Sequence, residues 1–149
     1  MAKQDSPLGV RFADFVTGFP SGINTATTFN RHLLRARGIA MGQEHLEKGV
    51  HVALGPMMNL GRVAGGGRNW EGFGADPYLA GEAAYETILG MQQAGVQASA
   101  KHLVNKLVHA LGCVKVYPDL VLVNKSKDER LRARMSMIGL NMRSIPIHS

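Results

Sequence analysis

Apolar runs in this chain are separated by glycine-rich or polar breaks, and the period within each run predicts an element. Gly49 to Pro56 is short, rich in β-branched residues and stopped by Gly-Pro. It predicts a buried strand over Val50–Leu54. Asp76-Pro77 is a helix start, with Asp as N-cap and Pro at the first helical position. Leu79 and Ala83, with Ala80, Ala84, Ile88 and Met91, then recur at helical spacing and give one apolar face to a helix Pro77–Ala94. Gly95 is placed to end that helix in the left-handed conformation. Val96–Lys101 reads as a second strand. Upstream, Asn30 caps a helix Arg31–Lys48 that carries Leu33, Leu34, Ile39, Met41 and Leu46. Leu8–Phe12 reads as a strand or turn.

A strand, loop, helix, strand unit closes right-handed with parallel strands, so the fold class is α/β. The loop Met57–Gly74 leaves the carboxyl end of the first of these strands. Lys101 and His102 stand at the carboxyl end of the second. Arg68, Lys101 and His102 are therefore expected on one rim, the side where α/β folds bind ligands. A loop of this length is more often functional than not.

Within it, Gly65-Gly66-Gly67-Arg68-Asn69-Trp70-Glu71-Gly72-Phe73 joins backbone freedom to recognition groups. Three glycines tolerate positive φ and allow a tight turn. A guanidinium fork, an amide, an aromatic face and a carboxylate follow at once. The same composition also suits a solvent-exposed turn over a partly buried Trp. It is not a phosphate loop, because no Gly-Lys-Ser/Thr follows.

Five segments in order carry a resemblance. They are Asp5-Ser6-Pro7-Leu8-Gly9-Val10-Arg11, Phe19-Pro20-Ser21-Gly22-Ile23-Asn24, Leu54-Gly55-Pro56, Gly66 to Phe73, and Ala100-Lys101-His102. Together they resemble the amino-terminal catalytic domain of glycoside hydrolase family 3, particularly fungal β-glucosidases, over about residues 4–105. Met57 to Arg62 departs from the family by being slightly shorter. The resemblance implies that Asp5, Arg68, Lys101 and His102 bind the hydroxyls of a terminal sugar. It implies a β-glucoside or cello-oligosaccharide as substrate and no cofactor. The chemistry fits: a carboxylate accepts from neighbouring hydroxyls while Arg and Lys donate to others. Behind these groups, Glu71 is placed to orient Arg68 or Lys101. Trp70 faces the sugar or packs under the loop, with packing favoured. Arg11 supports Asp5 or is a surface charge.

The resemblance also implies a partial (β/α)8 TIM-type barrel of the first few βα units, unclosed, over residues 1–105. A complete barrel needs about 250 residues. Such an arc would leave its last strand with unpaired backbone groups and so associate or be marginally stable. Retaining glycosidases use two carboxyl groups, a nucleophile and an acid/base. Neither is identifiable here, so the isolated chain is expected to be inactive and the parent reaction to be β-glucoside hydrolysis.

Residues 106–149 have no counterpart in the resemblance. Eight of the 17 Lys and Arg but only three of the 11 Asp and Glu follow residue 102, so most of the net charge of +6 lies there. Val114–Val123 reads as a strand and Lys127–Met142 as a helix with a basic face. This tail is a truncated or misread product, or a basic extension for an acidic partner. It lacks the aromatic interleaving of a nucleic-acid module, so no nucleic acid is expected. The alternatives to a β-glucosidase fragment are a non-catalytic sugar-binding remnant and a basic interaction protein.

Other signals are slight. The single cysteine, Cys113, excludes an internal disulfide. No run predicts a membrane span, and Met-Ala-Lys-Gln does not read as a signal peptide, although the resembled family is usually secreted. Glu44, His45, Glu47 and His51 lack the helical zinc spacing and read as a solvated helix face, so no metal is expected. Oligomeric state is not encoded in any motif.

Overall fold

The computed structural model describes residues 1–5 and 7–102, and the backbone of residues 121–122. Its elements are β1 (Lys3–Gln4), α1 (Gly22–Ala26), α2 (Arg31–Glu47), β2 (Val52–Ala53), a 3-10 turn (Asn69–Glu71), α3 (Pro77–Gln93), β3 (Gln97–Ala100) and β4 (Val121–Leu122). The sheet order is β1-β2-β3-β4. β1, β2 and β3 are parallel, with Lys3 beside Val52 and Val52 beside Gln97. The class is α/β, as the periodicity predicts.

Both long helices start where their caps place them. The Asn30 side chain accepts from the backbone N–H of His32 and Leu33, and Asp76 accepts from Leu79. Gly95 follows α3 at φ 98°. The predicted apolar face of α3 is buried at Ala80, Ala83, Ala84, Ile88 and Met91. Burial extends around most of that helix, so Glu82 and Glu86 are buried as well. They are compensated from α2 by Arg31 and Arg35, at 2.8 and 2.6 Å.

α2 and α3 touch through glycine. A Cβ on Gly90 would stand 2.4 Å from the Arg35 carbonyl oxygen, and one on Gly38 would stand 2.6 Å from that of Thr87. Each glycine costs about 1 kcal/mol of helix propensity against alanine. The gain is backbone-to-backbone approach, which lets Leu34, Met41, Ile88 and Met91 close the core between helices and sheet.

Leu8–Phe12 is the turn of its two readings: Gly9 and Phe12 have positive φ and Leu8 accepts from the Phe19 N–H. Other expectations need correction. The first strand is instead β1, because the Val52 and Leu54 amides bond to the carbonyls of Ala2 and Gln4. The glycine run has no positive φ; Gly66 is required for space, since a Cβ there would meet Asn69 Oδ1 at 2.5 Å. His45 is not solvated: it lies one turn from buried Met41 on the same stripe, and its Nδ1 donates to the Met41 carbonyl at 2.6 Å. The edge of β3 is not bare either, since β4 pairs with it antiparallel, Ser99 beside Leu122. The predicted strand Val114–Val123 is described only at residues 121–122, and the helix Lys127–Met142 lies outside the described residues.

Candidate functional site

Three parallel strands deliver their next residues to one rim. Asp5 directly follows β1, the long loop follows β2, and Lys101 and His102 follow β3. Pairing continues past the named strands at this end. The Lys101 amide donates to the Pro56 carbonyl at 3.0 Å, and the Lys101 carbonyl accepts from Met58 at 2.7 Å. Lys101 is thus fixed through its backbone before its side chain makes any contact.

The loop is held by its own amide. Asn69 Nδ2 donates to the Val63 carbonyl at 2.7 Å, and Gly66 leaves room for that side chain. The 3-10 turn that follows brings Arg68 and Glu71 together. Arg68 Nε and Nη2 donate to the two Glu71 carboxylate oxygens at 2.6 and 2.8 Å, a bidentate pair.

Two cations and two carboxylates then close a network. Lys101 Nζ donates to Asp5 Oδ1 and stands 3.9 Å from Glu71 Oε2. Arg68 Nη2 stands 3.9 Å from Asp5 Oδ2. Glu71 is only 7% exposed, a burial that a lone carboxylate would not tolerate. Its hydrogen bonds from Arg68 raise the pKa of the guanidinium above its usual value. Burial opposes that shift, and the charges of Glu71 and Asp5 add to it.

The exposed side of the network carries the groups suited to a ligand. The side chains of Asp5 and Arg68 are 45% and 39% exposed, whereas those of Lys101 and Glu71 lie behind them. An open carboxylate beside an open guanidinium offers acceptors and donors at hydroxyl spacing, with their charges already balanced. Asp5, Arg68 and Lys101 are therefore brought together, with Glu71 bridging the two cations from behind.

His102 is bonded to Asn59, a residue that no motif in the sequence singles out. Asn59 Oδ1 is 2.8 Å from both the His102 backbone nitrogen and its Nδ1. The signal was a single amide ending the apolar run Gly55-Pro56-Met57-Met58, inside the stretch that departs from the family pattern. Trp70 is 41% exposed, more open than a residue packed beneath the loop. The Arg11 guanidinium lies over the Phe12 ring, 5.6 Å from its centroid, and its backbone bonds to the Gln4 side chain. That makes Arg11 the surface charge of the two readings.

Among the described residues no group of three or more His, Cys, Asp or Glu could hold a metal ion. No helix among them is long and apolar enough to cross a membrane.

Residues 2–132 match the family described as glycosyl hydrolase family 3 N terminal domain. That match runs past residue 105, where the motif resemblance ends. The probable β-glucosidase L of Aspergillus terreus is 58% identical over 112 residues, 74% of this chain and 15% of that protein. The crystal structure of β-glucosidase D2-BGL from Chaetomella raphigera superimposes with TM-score 0.68 at 53% identity, covering 69% of this chain and 15% of that one. β-Glucosidase 3B from Thermotoga neapolitana, solved in complex with α-D-glucose, gives TM-score 0.63 at 42% identity, with 68% and 16% coverage. The chain thus spans about a sixth or less of the length of each of these relatives. It belongs to the family of glycosyl hydrolase family 3 N-terminal domains.

Proposed function

We propose that this chain carries the sugar-gripping part of a retaining β-glucosidase. Asp5, Arg68, Lys101 and His102 hold the hydroxyls of the terminal glucosyl unit of a β-glucoside or cello-oligosaccharide. Glu71 keeps Arg68 and Lys101 in place. The three parallel strands are the opening arc of a (β/α)8 barrel. The carrying observation is the charge-balanced network at the carboxyl ends of those strands, with Asp5 and Arg68 open to solvent. Family membership supports the same reading, and one relative's structure holds glucose.

The network grips and does not cleave. Retaining hydrolysis needs one free nucleophilic carboxylate and one proton-bearing carboxyl group, about 5 Å apart. Asp5 and Glu71 are each ion-paired to a cation of the network, so neither stands as a free nucleophile. The test pairs calorimetric titration of glucose with a chromogenic β-glucoside assay. Saturable glucose binding that Arg68→Ala abolishes, without turnover, is expected. Turnover at the rate of a full-length relative would overturn the assignment of gripping alone.

A further inference from the structure

We infer that Asn59 is a positioning residue for the sugar site: it sets the tautomer of His102. The inference rests on the sugar-site reading only for the ligand; the tautomer follows from geometry. A backbone N–H can only donate, so the Asn59 atom 2.8 Å from the His102 nitrogen must be the carbonyl oxygen, Oδ1. That fixes which way the amide points, which is otherwise ambiguous. The same oxygen lies 2.8 Å from His102 Nδ1. An oxygen that accepts there requires a proton on Nδ1. The neutral ring then carries its lone pair on Nε2 and is an acceptor at that nitrogen.

Asn59 is 5% exposed, so its amide is held in place by the packing around it. Arg68 and Lys101 only donate, and Asp5 only accepts. With its proton fixed on Nδ1, the neutral His102 ring adds an uncharged acceptor type, Nε2, to a rim otherwise made of charges.

The test is the tautomer of His102 in the 15N-labelled chain at neutral pH, read from ring nitrogen shifts and assigned against His102→Gln. A proton on Nδ1 in the wild-type chain is expected; a neutral ring protonated on Nε2 would overturn the inference. Asn59→Leu should release the ring to the Nε2–H form and weaken glucose binding roughly tenfold or more. Asn59→Asp keeps an acceptor oxygen and should keep the Nδ1 proton. An unchanged tautomer in Asn59→Leu would also overturn it. If the wild-type ring is protonated on Nδ1 and glucose does not bind, the tautomer assignment stands and the sugar-site reading fails.

Discussion

The helix pair and the strand-end rim are built on opposite principles. α2 and α3 meet along a close-packed seam, closed by glycines and by the apolar stripe of α3 and flanked by two Arg–Glu pairs. The rim gathers Asp5, Arg68, Glu71 and Lys101 from three segments and joins them by charge. The seam tolerates no extra volume, but its chemistry is replaceable by any close-packed equivalent. The rim tolerates volume on its open side, but each of its charges is needed to balance another. Stability therefore concentrates in the seam and ligand chemistry in the rim, and substitutions should separate the two.

The largest effect is expected at the seam. Gly90→Leu places atoms where the Arg35 carbonyl and the Ile39 amide already stand, at 2.4 and 2.8 Å from a Cβ. Backbone cannot rotate away as a side chain can, so destabilisation of about 3 kcal/mol or more is expected. Thermal unfolding followed by circular dichroism measures it. A fall of under about 0.5 kcal/mol would mean that the helices are not in backbone contact.

Next comes Glu71→Gln at the rim. It removes the charge that Arg68 grips with two bonds and leaves Asp5 facing two cations. Glucose affinity should fall about tenfold, with a stability loss of about 1–2 kcal/mol because Arg68 is partly solvated. Equal loss in both, or loss of stability alone, would blur the division between seam and rim.

The smallest effect is expected for Arg35→Lys. It keeps a cation beside buried Glu86 and loses only the geometry of the 2.6 Å pair, on the side of Arg35, which is more than a third exposed. A loss of about 1 kcal/mol with unchanged glucose affinity is expected. A change in affinity would show that the charges of the helix pair and those of the rim are coupled.

The two regions also differ in how far the sequence discloses them. The seam follows from local signals: Asn30 and Asp76 as caps, a helical period in α3, and Gly95 at its end. The rim does not, because Asp5 and Lys101 are 96 residues apart and meet only through the parallel register of β1, β2 and β3. Topology predicts that Arg68 and Lys101 share a rim. Asp5 came only from the family pattern, since β1 is two residues long and carries no strand signature. His45 was misread because a titratable residue on a polar-looking helix gives no sign of which stripe turns inward. Asn59 was missed for the related reason that one buried amide leaves no period.

The most direct measurement is a glucose titration of the 15N-labelled chain, followed at the backbone amides of Asp5, Arg68, Lys101 and His102. The account predicts saturable shifts confined to that rim and lost in Arg68→Ala, with the α3 amides unmoved. No saturable shift, or shifts that persist in Arg68→Ala, would contradict it.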